Sequence, residues 1–277
     1  MKILVTGANG YLGSGVVRQL LDDGCEVVAA CRSDVDCVDC RAEIVRCDAF
    51  AVENPFEFFG KPDALLHMAW RNGFVHNARS HIEDLPAHYA FIRRAAESGI
   101  RQIAVMGSMH EVGFFEGSIK SDTPTHPQSL YGISKDALRN LTELVCKENS
   151  AVFQWLRGYY IVGNTQKGSS IFSKITEAEK NGQEKFPFTS GQNQWDFIDY
   201  DAFCRQTAAA VEQTEITGII NICSGFPEKL ADRVERFIAE SGYHLSLDYG
   251  KFPDRPYDSK AVWGDNSAIT EILKKRG

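Results

Sequence analysis

Thr6-Gly7-Ala8-Asn9-Gly10-Tyr11-Leu12-Gly13 sits between an apolar strand pattern over 3–6 and a helical pattern marked by Val16, Val17, Leu20 and Leu21. No other segment constrains the fold as tightly. Glycine takes backbone angles that other residues avoid, and it lets the chain pass close to a neighbour or to a bound anion. A helix that starts beyond such a turn aims its unpaired amides and its positive end at that anion. Glycines spaced GxxGxxG are weak evidence alone. Here Gly7, Gly10 and Gly13, with Asn9, Tyr11 and Leu12 between them, open a strand–turn–helix unit, which is the context a dinucleotide pyrophosphate needs.

The chain goes on alternating. Strands are expected over 26–31, 43–47, 64–69, 102–106 and 152–156, and helices over 11–23, 84–98 and 131–147. Pro86 lies in the first turn of the second helix and Gly99 follows its end. The almost wholly apolar run over 64–69 suits a parallel strand covered on both faces. This alternation implies an α/β fold with a Rossmann-type, doubly wound parallel sheet. Beyond Arg157 the pattern loosens, with helices near 169–180, 228–241 and 266–275 and a strand over 218–223. The expected organisation is a dinucleotide-binding domain over 1–160. A smaller, mostly substrate-binding C-terminal lobe follows over 161–277, with 195–224 returning to the large sheet.

Charge and composition narrow the classes. A net charge of −7 without a basic block argues against nucleic acid and against an anionic membrane surface as partner. No run approaches the roughly 20 apolar residues of a membrane span. The first residues already form a core strand in place of a signal peptide, so a cytoplasmic location is expected. Among eight cysteines, Cys31, Cys37, Cys40 and Cys47 lie close in sequence, and Cys37 and Cys40 form a CxxC. A zinc site is the sharp reading. The expectation is instead no metal, because Cys31 and Cys47 fall at strand ends, where cysteine acts as a small buried hydrophobe.

A second motif, Tyr131-Gly132-Ile133-Ser134-Lys135, supplies proton chemistry. Tyr131 and Lys135 are four apart and share a helix face. A free phenol has a pKa near 10 and is a poor acid or base at neutral pH. A neighbouring ammonium and a nicotinamide cation would both favour phenolate and lower that value. Ser108 follows the fifth strand, where an open α/β sheet presents its ligand crevice, and its hydroxyl is placed to hold a carbonyl oxygen. Glycine turn and Tyr/Lys pair together imply hydride transfer between a nicotinamide and a carbon bearing oxygen. At the end of the second strand, Cys31 stands where NAD sites carry an acid, and Arg32 and Ser33 follow. A guanidinium and a hydroxyl suit a 2′-phosphate, so NADP is favoured; Arg32 as a solvated surface charge is the other reading.

These residues resemble the extended short-chain dehydrogenase/reductases, the NAD-dependent epimerase/dehydratase family. The TGxxGxxG turn, His67-Met68-Ala69-Trp70, Ser108, Tyr131-xxx-Lys135, Leu156-Arg157, Trp195-Asp196-Phe197 and Arg255-Pro256-Tyr257-Asp258 fall in family order. The resemblance implies a nucleotide-linked sugar substrate, Asp48 beside the adenine, and Met68, Ala69 and Trp70 along the cofactor. It also implies Arg255 at a substrate phosphate and a homodimer formed through the helices near 84–98 and 131–147.

Departures from the family bear on the substrate. Trp195 replaces an arginine found in many relatives, and Tyr160 replaces an asparagine. The related sugar-nucleotide dehydratases carry a Thr-Asp-Glu run; here it is Ser108-Met109-His110, with Glu111 one residue late. Dehydration is therefore not expected. His110 either touches the sugar or is a satisfied turn histidine. The strand ending in Trp70, with Arg71 after it, is similar to that of 4-ketoreductases of deoxysugar nucleotides. The expected activity is NADP(H)-dependent reduction of the C4 keto group of a nucleotide-activated 4-keto-6-deoxysugar, with NAD(H) the other possible cofactor. Its competitors are a nucleotide-sugar epimerase with tightly bound NAD(P), and a non-catalytic dinucleotide-sensing regulator. The retained Ser108, Tyr131 and Lys135 count against the regulator.

Overall fold

A computed structural model of the protein describes residues 1–276 apart from Asp34, 164–169 and 254–257. Seven strands form one sheet in the order β11-β7-β5-β4-β1-β2-β3. They are β1 (Lys2–Thr6), β2 (Glu26–Cys31), β3 (Glu43–Arg46), β4 (Ala64–His67), β5 (Gln102–Ser108), β7 (Val152–Gly158) and β11 (Gly218–Ile222). Every neighbouring pair is parallel. The chain winds outward in both directions from β1 and β4, so the ligand crevice of this Rossmann-like α/β fold lies at their carboxyl ends.

Helices cover both faces. Alternate residues of β1 serve different layers: Ile3 and Val5 face one core, Leu4 the other. The first core packs α1 (Gly13–Asp22), α7 (Tyr200–Val211) and α9 (Ser267–Arg276) against the sheet through Val16, Leu20, Phe203 and Ile272. The second packs α4 (Leu85–Ser98) and α5 (Leu130–Glu148) through Phe91, Ile92, Leu138 and Val145. Short helices α2 (Pro55–Phe58) and α3 (Ser80–Glu83) lead into that layer. Each fully buried Val or Leu contributes about 1.5–3 kcal/mol, so these stripes fix which helix covers which face.

A second sheet carries the smaller lobe, in the order β12-β10-β14-β6, with β8 paired to β10. Its strands are β6 (Gly117–Ile119), β8 (Tyr160–Val162), β10 (Gln194–Asp199), β12 (Pro227–Lys229) and β14 (Ala261–Gly264). Helices α6 (Ile171–Lys180) and α8 (Leu230–Glu240) enclose a separate core with Phe172, Ile175, Phe188, Val234 and Phe237. Strands β9 (Lys185–Pro187) and β13 (Ser246–Asp248) pair with each other. The buried Asp196 carboxylate accepts from Ser224 N (2.8 Å), Ser224 Oγ (2.7 Å), Gly225 N (2.9 Å) and Gly264 N (3.1 Å). It thus ties β10 to β14 and to the segment after β11.

Two expectations need correction. Residues 195–224 do not return to the large sheet as a block: β10 lies in the second sheet, and only β11 and the helix before it rejoin the first. Helix α1 starts at Gly13, not Tyr11. Tyr11 stays in the turn because its carbonyl accepts from Tyr200 Oη (2.8 Å) while its own hydroxyl donates to Gly163 O (2.9 Å). Among the described residues, no helix is long and apolar enough to cross a membrane.

Candidate active site

The glycine turn is shaped by contact as well as by dihedral angle. Gly7 sits at φ +69°, and a Cβ there would lie 2.7 Å from Ala69 N. A Cβ on Gly13 would lie 2.1 Å from Gly7 O. The turn therefore presses against the Met68–Ala69 backbone on one side and against α1 on the other. Gly10 N closes it by donating to Gly7 O (3.0 Å). Leu12 provides no side-chain cap for α1, and the first helical turn holds no acid. Neither the cap position nor the first turn of α1 supplies a group that neutralises its positive end, which fits an anionic pyrophosphate.

Around that turn, Cys31 is buried at the end of β2, and Arg32 and Ser33 follow it on the surface. The positive charge of Arg32 reaches Asp84 and His88. Asp48 is exposed and accepts from Phe50 N (3.1 Å), capping the short helical turn Ala49–Ala51. Cys37 Sγ donates to Asn9 O (3.2 Å), so the CxxC loop lies against the glycine turn. Among the described residues, no group of three or more His, Cys, Asp or Glu is placed to hold a metal.

Ser108 ends β5, and α5 begins nearby with Ser129 Oγ accepting from Gly132 N (3.1 Å). Gly132 lets the helix approach: a Cβ there would lie 2.4 Å from His110 O. Tyr131 and Ser108 consequently come side by side, close enough for the serine hydroxyl to favour the phenolate. One turn on, Lys135 is 4% exposed, and its Nζ donates to Met106 O (2.7 Å). That amine lies 4.0 Å from the Trp70 ring centroid and 6.0 Å from that of Tyr131. Glycine turn, Ser108, Tyr131 and Lys135 thus meet at the crevice.

Burial sets the protonation of this pair. It pushes the Tyr131 phenol up to about 12, against the pull of the Ser108 hydroxyl. It pulls the Lys135 amine down to about 7, opposed by the Glu111 carboxylate. Lys135 turns to Met106 and Trp70, and desolvation dominates the phenol. Glu111, fully buried, faces β7: its carboxylate accepts from Trp155 Nε1 (2.7 Å) and Arg157 Nε (2.5 Å).

Histidines surround Tyr131: His110, already singled out in the sequence, and His76 and His81, which were not. His76 O accepts from Tyr131 N (2.8 Å), and the two rings stack at 5.6 Å and 14°. His110 packs 4.4 Å from His76 and 6.1 Å from Tyr160, and burial holds it neutral, down to about 3. His81 and His88 flank Trp70. A signal was present: five of the seven histidines fall between positions 67 and 110.

The lobe supplies the other wall. Tyr160 and Trp195 stack at 4.7 Å and 14°, and Trp195 Nε1 donates to Ser259 O (3.1 Å). Two departures distant in sequence thus form one aromatic platform. Arg71 pairs with Asp84 on the rim, Nη2 to Oδ1 at 2.8 Å. Arg255 lies outside the described residues.

Comparison with known proteins places these features. The model of the NAD dependent epimerase/dehydratase family matches residues 3–223. The dTDP-6-deoxy-L-talose 4-dehydrogenase (NAD(+)) of Aggregatibacter actinomycetemcomitans is 40% identical, over 95% of this chain and 99% of its own length. Among solved structures, the UDP-N-acetylglucosamine 4-epimerase of Methanobrevibacter ruminantium M1 superposes with a TM-score of 0.84 at 17% identity, covering 98% of this chain and 91% of that one. The UDP-glucuronic acid 4-epimerase of Bacillus cereus, in complex with UDP-glucuronic acid and NAD, gives 0.81 at 20%, covering 99% and 93%. Both structures share the fold.

Proposed function

The chain belongs to the NAD dependent epimerase/dehydratase family and is an NAD(P)-dependent oxidoreductase; on that premise we propose that it interconverts a hydroxyl and a keto group at C4 of a nucleotide-linked 6-deoxysugar, working as a 4-ketoreductase. The observation that carries the proposal is the meeting of Ser108, Tyr131 and Lys135 beside the glycine turn. The 40%-identical dTDP-6-deoxy-L-talose 4-dehydrogenase supports the substrate class, and its name describes the same bond change run as oxidation.

Gly7, Gly10 and Gly13 with the start of α1 would hold the pyrophosphate, Asp48 would lie by the adenine, and Met68, Ala69 and Trp70 would line the cofactor. A bound nicotinamide dinucleotide supplies or accepts the hydride. Ser108 and Tyr131, lying side by side, would share one substrate oxygen. A phenol raised to about 12 keeps its proton at neutral pH, so Tyr131 stands ready to protonate that oxygen in reduction. Oxidation runs the transfer backward, needs the phenolate, and quickens as pH rises. The Tyr160–Trp195 platform and the neutral His110 would take the sugar's apolar face and its C6 methyl, and Arg71 its polar periphery. Dehydration finds no acid: Met109 and His110 occupy those positions, and Glu111 is committed to Arg157.

Two observations pull the cofactor choice apart. Arg32 and Ser33 after β2, with no acid at Cys31, support NADP(H); the relative's name supports NAD(H). A homodimer through α4 and α5 is part of the proposal, supported by the exposed Ile133 and Leu144 on α5. So is a cytoplasmic location, which suits eight free cysteines. The decisive assay supplies dTDP-6-deoxy-L-talose with NADP+ or NAD+, and the corresponding 4-keto sugar with NADPH or NADH. Dinucleotide-dependent turnover at C4 supports the proposal, and sugar interconversion without added cofactor overturns it in favour of an epimerase. Arg32→Ala should lower kcat/KM for NADPH about tenfold and leave NADH alone; equal effects on both remove the 2′-phosphate reading.

A further inference from the structure

We infer that Trp70 is a positioning residue for Lys135, its indole face holding the lysine as an ammonium under the proton-transfer site. The inference rests on the assignment of Ser108, Tyr131 and Lys135 just made, and it begins from what surrounds the amine. Lys135 is buried, and an ammonium carries three donors. One reaches Met106 O at 2.7 Å, and the Trp70 ring centroid lies 4.0 Å from Nζ. Indole is the strongest aromatic partner for a cation, and the attraction grows where water is excluded.

The charged and titratable groups facing the amine offer little else. Tyr131, on the same helix, holds a neutral phenol. His67 on β4 and His88 on α4 are kept neutral by burial, so neither supplies a countercharge. His81 on α3 accepts from the indole N–H at the ring edge. Glu111 favours the ammonium, but its carboxylate is hydrogen-bonded to Trp155 and Arg157. Burial favours the neutral amine. The indole therefore opposes that tendency at close range.

The ring is fixed as a positioning element must be. Trp70 Nε1 donates to His81 Nδ1 (3.0 Å), and that acceptor requires the His81 proton on Nε2, where it is donated to Val75 O (3.0 Å). His88 stacks on the indole at 4.5 Å and 24°. His88 Nδ1 in turn lies 2.8 Å from His67 Nε2, and His67 Nδ1 lies 2.7 Å from Thr6 Oγ1. The indole is thereby anchored to β4 and to β1, which leads into the glycine turn. Its edge meets Tyr131 at 6.2 Å and 75°. One rigid ring thus touches both the proton donor and the lysine.

A double-mutant cycle on unfolding tests this without any substrate. Trp70→Leu, Lys135→Met and the double variant are compared with the parent chain in urea at about pH 6 and about pH 9.5, either side of the buried lysine's titration. A cation–π contact predicts coupling of roughly 3- to 30-fold in the folding constant at the lower pH, fading at the higher one. Equal coupling at both pH values means packing alone and overturns the inference. Trp70→Phe keeps a weaker face and should give intermediate coupling. In turnover, Trp70→Leu should move to lower pH the limb on which activity falls as Lys135 loses its proton, with Trp70→Phe partly restoring it. Superposable profiles would also overturn the inference. Unimpaired turnover by Tyr131→Phe would instead remove the active-site assignment and leave the unfolding cycle to judge the indole.

Discussion

The crevice has two walls built on different principles. The wall from the large sheet, β4, β5 and α5, holds Trp70, Ser108, Tyr131 and Lys135 in a polar lattice where most groups have a stated partner. The wall from the lobe presents ring faces, Tyr160 on Trp195, and keeps its main buried charge, Asp196, behind them as a structural clasp. The first wall fixes atoms relative to one another, as proton transfer demands. The second offers area with little direction, as recognition of a sugar's apolar face demands. On the proposed function, reaction and selection should be separable by mutation.

Four substitutions break or sharpen that contrast. Tyr131→Phe removes the donor and keeps the ring; turnover should fall by about 10²–10⁴-fold while dinucleotide affinity, read by fluorescence titration, stays within a few-fold. Asp196→Ala orphans the donors of Ser224, Gly225 and Gly264; urea unfolding should show a loss of about 3–5 kcal/mol, and a near-neutral effect would refute the clasp. Trp195→Arg, alone or with Tyr160→Asn, rebuilds the polar grip of many relatives. It should raise KM for a 6-deoxysugar nucleotide about tenfold with kcat nearly unchanged; a collapse of kcat would mean that the walls are not separable. The last test concerns pH. Lys135 titrates near 7 when folded and near 10.5 when unfolded, so the unfolded chain binds more protons between those values and stability rises with pH across them. Lys135→Met should flatten that rise in a series of unfolding curves.

The two walls were unequally legible in the sequence. The large sheet could be read because buried parallel strands are apolar runs: β2 falls where the pattern puts it, between Gly24 and Arg32. Strand β5 runs two residues past its apolar stretch because Gly107 and Ser108 pair with Arg157 and Gly158, a partner that local sequence does not reveal. Strand β10 looks like any other strand, and only its pairing with β8, β12 and β14 assigns it to the second sheet. Tyr131, Lys135 and Ser108 were visible as residue types at fitting places. Their protonation was not, because desolvation depends on the whole surrounding shell. Tyr160 and Trp195 each stood out as a departure, but their stacking arises from two strands that pair in register beyond them, Phe197 with Tyr160.

Tyr11 has a consequence for how the two ligands meet. Its carbonyl is bonded to Tyr200 at the start of α7, and its hydroxyl to Gly163 at the end of β8, so the phosphate turn and the sugar lobe share bonds. Whatever one ligand does to order that junction is already done when the second arrives. If ordering of that junction couples the two sites, thermodynamic linkage requires each ligand to change the other's affinity by the same factor. Tyr11→Phe should bring that factor closer to one, measurable as dinucleotide affinity with and without the sugar nucleotide; an unchanged ratio would show the two sites to be independent. Any coupling between the two ligands would then run through one phenol at the junction of turn and lobe.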